Sequence, residues 1–413
     1  MKIALQFLEG NTHATPISPV DARARLQEAF LRLDLSMVLL GWDLDAQVIE
    51  ACASECSLHG ADLYLWQPLL TAHSRCRLDP FWRVIGLDNH PVTGDGDLPG
   101  FIFHCPNRRQ VRENVLQDLD TALSCGCFQG VFFDRIRFPS PAADPSTRLA
   151  CFCPVCRELA REEDLDLEHV RKDLSNRLKE REGRKNILRG LFSTPAEHDP
   201  GDSSRSLGKL LAFRQRSISS FIAGLSGAAA ARGLKVGLDC FSPTMAPMVG
   251  QDLAALQNQC DWIKLMTYVR AYGPASILFE TLALADWLIS HRDENQTTFV
   301  DMLSGATGWS LPVSRPGIQD VRTSTSILAT ELQRGQAIAG GHVWAGIELV
   351  EIRGVSNLDM DQVRRDCEVI LSGASEGVVL SWDLLYMPLE YLDLVNEVFN
   401  HSSSSSLENS ASQ

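Results

Sequence analysis

The chain contains no run of about 18 apolar residues, so no membrane-spanning helix is expected. It also lacks any dense run of Lys and Arg, and 52 acidic against 38 basic side chains leave a formal charge of −14. Binding to a phosphate backbone needs clustered cations, so nucleic acid is excluded as a partner. No Gly-rich phosphate loop follows the first apolar run, which argues against a dinucleotide- or nucleotide-binding sheet. The ten histidines are scattered, with neither HxH nor HExxH, so a catalytic metal is not expected, and no cofactor is called for. The opening MKIALQFLEG is too short an apolar stretch for a secretory signal and reads as a strand, which makes the cytoplasm the expected location. Twelve cysteines in 413 residues are too few for a disulfide scaffold, and most are expected to be free thiols.

What is present is an alternation of short apolar runs with longer stretches of helical spacing. The strand candidates are Lys2–Phe7, Ser36–Gly41, Asp62–Trp66, Gly130–Phe133, Lys235–Leu238, Trp262–Met266, His342–Ile347 and Gly377–Ser381. Most are continuous rather than alternating, as expected of a parallel sheet covered on both faces. Between them lie Asp21–Leu33, Ala46–His59, Val111–Ser124, Leu207–Arg232, Ile277–His291, Ser324–Ala339 and Met360–Ser372, all with helical periodicity. This pattern predicts an α/β chain folded as a (β/α)8 TIM barrel, one domain over residues 1–400. A ninth apolar run, Thr297–Leu303, also reads as a strand. Insertions are expected at about 70–100, after strand 3, and 157–206, after strand 4; the second begins as charged helix and ends in the loop-like STPAEHDPGDSS. The Ser-rich tail 401–413 is expected to be disordered.

In such a barrel the residue closing each strand faces the active-site mouth. In GVFFDRIRFP the apolar run ends at Asp134, followed at once by Arg135 and Arg137, cations suited to hold it ionised. Glu348 follows the seventh run, with Glu351 as the alternative if the register slips, and Asp239 follows KVGL in the fifth. Asp43, Asp301 and Asp383 are further acids at strand ends. Trp42, Trp66, Tyr268, Trp344 and Trp382 stand at the same ends, where aromatic faces can stack on the C–H faces of sugars while carboxylates and Arg take the hydroxyls. His104 and Asn107 are weaker candidates.

The segment Asp134–Pro139, DRIRFP, resembles the FDYIRFP-like signature that closes the fourth strand in a family of glycoside-hydrolase (β/α)8 barrels. CPNRRQVRENVLQDLDTAL, GLDCFSP and DWIKLMTY are similar to the stretch before strand 4 and to the ends of strands 5 and 6 in that family. The resemblance spans roughly residues 100–390. It implies a carbohydrate substrate, with Asp134 as acid/base and Glu348 as nucleophile, and Asp239 as substitute or orienting acid. Arg135 stands where many relatives carry Tyr, and Lys264 where they carry Ser or Pro; both are placed among the substrate-binding candidates.

The cluster CFCPVC brings Cys151, Cys153 and Cys156 together. Its Cys-x-x-Cys half has zinc spacing, but a fourth ligand is needed and no second CxxC exists. Cys125 and Cys127 are possible completers. A structural zinc, a single disulfide and three thiols all remain open on spacing alone.

Overall fold

The computed structural model describes residues 1–10, 17–94, 101–192, 205–291, 296–310, 321–356, 358–373 and 375–410. Eight parallel strands close into a barrel in sequence order: β1 Lys2–Phe7, β2 Met37–Leu40, β3 Asp62–Pro68, β4 Gly130–Asp134, β5 Lys235–Phe241, β6 Trp262–Met266, β7 Val343–Glu348 and β8 Gly377–Ser381. The ring is shut by β8 lying parallel to β1, with Lys2 opposite Gly377 and Leu5 opposite Leu380. Long helices follow the strands and cover the outside. Their ends carry local signals: the Ser18 hydroxyl caps the helix Pro19–Phe30, and Gly60 ends the helix Ala46–His59 at φ +69°, a left-handed turn that glycine enters without strain. No helix among the described residues is long and apolar enough to cross a membrane.

The ninth apolar run is not a strand. Thr297–Leu303 lies within the helix Gln296–Thr307, where Phe299, Val300 and Leu303 fall on one buried face. Offsets of one and four are helical spacing, which a short apolar stretch does not distinguish from a buried strand. Asp301 is therefore a helix residue. The charged stretch after β4 forms three short helices, Pro154–Glu162, Leu167–Arg177 and Arg181–Leu191. STPAEHDPGDSS lies outside the described residues, and the last helix, Leu389–Ser410, runs on into the Ser-rich tail.

The barrel interior is filled in tiers. At the lower end Tyr64, Trp262 and Trp344 lie against strand positions that carry no side chain: a Cβ on Gly130 would stand 2.3 Å from the Tyr64 ring, one on Gly237 2.4 Å from Trp262, and one on Gly377 2.5 Å from Trp344. Phe132 stacks on Trp262 at 5.1 Å, and Trp344 packs against the same indole at 4.8 Å. This aromatic plug leaves the next tier, toward the strand C-termini, for polar groups.

Candidate functional site

Above the plug, the first charged tier is built from β1, β5 and β6. The Lys264 ammonium donates to Gln6 Oε1 at 2.9 Å and pairs with Asp239 at 3.1 Å, with Lys264 wholly buried and Asp239 nearly so. Gly346, across the strand pair, leaves the space Lys264 occupies: a Cβ there would lie 2.6 Å from the lysine Cε. The lysine also sits over the rings of Phe132 and Tyr268, at 5.6 and 5.1 Å. Burial pushes the Asp239 carboxyl up to about 7; Lys264 pulls the other way and the nearby Asp134 adds repulsion. Asp239 Oδ1 has no hydrogen-bond partner among the described residues. Because β5 continues to Phe241, Asp239 is an interior strand residue rather than the strand's last.

The second tier is the mouth. Asp134 closes β4 and is partly exposed; the Trp66 indole N–H donates to its Oδ2 at 3.0 Å, and the Arg135 amide donates to Oδ1. Glu348 closes β7. Its Oε1 accepts from the backbone amides of Arg270 and Ala271 in the loop after β6, the second at 2.9 Å. Burial raises this carboxyl to about 7, with Asp366 adding repulsion, against the lowering effect of its own backbone amide and of Arg270. Asp239, Asp134 and Glu348 all act electrostatically on the buried Tyr268 hydroxyl, adding to the burial that drives its pKa well up. Tyr268 is thus the common neighbour of the three acids. The half-buried Trp382 packs edge-on against it at 5.7 Å.

Glu9, two residues beyond β1, joins this mouth and escaped the sequence reading. It pairs with Arg135 at 3.1 Å. Its carboxyl is raised to about 7 by burial, opposed by Arg135 and reinforced by Asp134 and Asp383. The signal was the one used for the other acids, a carboxylate just past an apolar run. Arg135 itself spans the rings of Trp42 and Phe101 at 5.1 and 4.8 Å, and Arg137 lies between Phe103 and Phe241 at 4.4 and 4.8 Å. Both guanidiniums serve as mouth-wall side chains.

Several candidates are placed elsewhere. Trp344 belongs to the plug, beneath Lys264, because the interior of a closed barrel must be filled. Asp383 accepts from the amides of Leu8, Glu9 and Leu385, holding the turn after β1. Asp43 accepts from His73 and from the amides of Ser74 and Arg75. Glu351 is bonded by the Tyr391 hydroxyl at 2.6 Å. His104 is buried, and burial lowers it to about 4, against the backbone of Leu70 and Asp79. Trp42 is buried, edge-on to Trp66 at 5.3 Å, and so supports the Trp66–Asp134 contact from behind.

Its structural neighbours are glycoside hydrolases. The glycoside hydrolase domain of PgaB (BpsB) from Bordetella bronchiseptica matches with a TM-score of 0.54 at 13% identity, over 96% of this chain and 98% of that one. The β-galactosidase of the haloarchaeon Halorubrum lacusprofundi gives 0.58 at 11% identity, over 96% and 57%. That of Marinomonas ef1 gives 0.57 at 10% identity, over 98% and 60%. The chain thus spans somewhat more than half the length of the two β-galactosidases. At these identities the likeness establishes the fold. No family model matches the chain, and no curated protein matches it in sequence.

The cysteines fall into two groups. Cys125 and Cys127, before β4, are bonded to each other at the lower end of the barrel, which removes them as partners of CFCPVC. The fourth sulfur beside that cluster is Cys105, from the loop after β3.

Proposed function

We propose that the chain acts on a glycosidic bond, with Asp134 and Glu348 as the working carboxyl pair and Asp239 as the buried acid that tunes them. The observation that carries this reading is the placement of Asp134 and Glu348 as the last residues of β4 and β7, with Asp239 within β5, at the C-terminal end of a closed barrel. Glycoside hydrolysis needs one carboxyl to protonate the leaving oxygen and another to attack the anomeric carbon or activate water. Asp134 is the more exposed of the pair and suits the leaving-group side as acid/base. Glu348, fixed by two amides, has the rigidity a nucleophile needs. Trp382 and Arg135 are the side chains placed to meet a sugar face and its hydroxyls. Carbohydrate as substrate also agrees with what the structural neighbours are.

The test is turnover on a broad panel of glycans and aryl glycosides. Asp134→Asn and Glu348→Gln should each cut the rate by about 100- to 10,000-fold while thermal unfolding stays unchanged. A panel without turnover sinks the reading.

A second reading is supported by the ion pair of Asp239 and the double amide bond on Glu348: a barrel that holds carbohydrate without cleaving it. Calorimetric glycan binding, lost in Trp382→Ala and without product release, would select this alternative.

A further inference from the structure

Four cysteine sulfurs converge where the loop after β3 meets the loop after β4. The sulfurs of Cys105, Cys151, Cys153 and Cys156 all lie within 4.8 Å of one another, and all four residues are wholly buried. Cys105 is 3.4 Å from Cys156 and 3.8 Å from Cys153, sulfur to sulfur. A disulfide would need about 2.05 Å. A tetrahedron with metal–sulfur bonds of about 2.3 Å has edges of about 3.8 Å, close to these two distances.

Two further observations point to a charged centre rather than a pocket of thiols. N–H groups are aimed at the sulfurs: the Ile85 amide donates to Cys151 and the Asn107 side chain to Cys156, both at 3.3 Å. Arg214, with no exposed surface, gives one hydrogen bond to the Pro139 carbonyl at 3.1 Å, while its Nε and Nη1 have no hydrogen-bond partner among the described residues. No carboxylate pairs with it among the described residues; a thiolate at Cys151 would offset its charge, against burial and the nearby Arg137. A buried cation of this kind requires a counter-charge. Four thiolates around one divalent ion leave net negative charge, and supply it.

We infer that Cys105, Cys151, Cys153 and Cys156 bind one zinc ion in a closed tetrahedral site, with Arg214 as its buried counter-charge, and that the ion fastens the loop after β3 to the loop after β4. Four protein ligands leave no open position, so the metal is structural. Thiolate ligands select soft or borderline ions, and zinc imposes no geometry of its own. The ion holds the mouth wall in place. Phe103, two residues before Cys105, packs on Arg137, and Gly86 bridges to Ala150 beside Cys151.

The full chain, purified without chelator, should carry about one zinc by elemental analysis. A mercurial that titrates the thiols should release it in step, as read by a chromogenic chelator. Cobalt exchanged into the site should give the visible and near-ultraviolet bands of a tetrahedral four-thiolate complex. Cys105→Ser should lower zinc affinity at least about 100-fold, a larger loss than outer partners of a metal site bring, whereas the Cys125→Ser, Cys127→Ser pair should retain full zinc. The inference is overturned by metal-free protein whose four thiols react independently, by an iron–thiolate absorption in place of zinc, or by Cys105→Ser protein that binds zinc as tightly as the parent. Mercurial release needs no variant, so a variant that does not fold leaves the test intact. None of these readouts involves a glycan, so this inference and the proposed activity fail separately.

Discussion

Lys264 and Asp239 form an ion pair of 3.1 Å inside the barrel, with the lysine side chain at 0% and the aspartate at 4% exposure. Such a pair costs desolvation on both sides and is returned only while both members are present. Lys264→Met should therefore destabilise the fold by about 3 kcal/mol or more at pH 8, where the orphaned carboxylate is charged. The loss should shrink toward pH 5, where Asp239 can take a proton. Adding Asp239→Leu to the same chain should recover most of it. Denaturant titrations of the three proteins at both pH values measure this; additive losses in the double variant contradict the pairing.

Gly346 tests the same tier from the other side. A methyl group at this position would meet the Lys264 Cε and the Leu265 carbonyl oxygen, each at 2.6 Å. Gly346→Ala should cost about 1–3 kcal/mol through overpacking. A midpoint of unfolding equal to that of the parent would show that the space beside Lys264 is not tight.

His73 lies between two acids, Nδ1 at 2.9 Å from Asp43 and Nε2 at 3.1 Å from Asp118. Burial works against the imidazolium, but the two carboxylates outweigh it and raise its pKa; Asp43 in turn is lowered to about 2, its bonds to His73 and Ser74 overcoming burial. A raised histidine stabilises the fold fully below its unfolded pKa of about 6.5, and this is lost as pH climbs through the folded value. The Asp43 contribution is present above about 4 and disappears as pH falls through about 2. His73→Gln should thus cost about 3 kcal/mol at pH 6 and progressively less toward pH 9. An equal cost at both pH values rules out the imidazolium.

Trp66 donates to Asp134 at 3.0 Å, a hydrogen bond to an ionisable group. Trp66→Phe should cost about 1.5–3 kcal/mol of interaction. The loss should appear as a lower midpoint of unfolding in a denaturant titration. A midpoint equal to that of the parent would mean the indole N–H does not serve Asp134.

Much of the fold was legible because both signals that encode it are local. Buried parallel strands need continuous apolar runs, and Lys2–Phe7, Trp262–Met266 and Gly377–Ser381 are recovered to the residue. Thr297–Leu303 misled because seven apolar-rich residues carry too little length for their period to show. The acids after β4 and β7 could be named from strand ends alone. Trp344 could not be sorted from them, since alternate strand residues point into one cylinder and only their height in it separates plug from mouth.

The sequence by itself determined a ring of alternating strands and helices, the acids at its strand ends, and three cysteines of metal spacing, because each of these is written within a dozen neighbouring residues. Closure of the ring decided the rest. It carried Lys264 to Gln6 and Asp239, Glu9 to Arg135, and Cys105 to CFCPVC, 46 residues from the first cysteine of that cluster by position. Partners so distant along the chain share no local pattern; they meet because the strands that hold them are stacked into one barrel and their loops gather at one end.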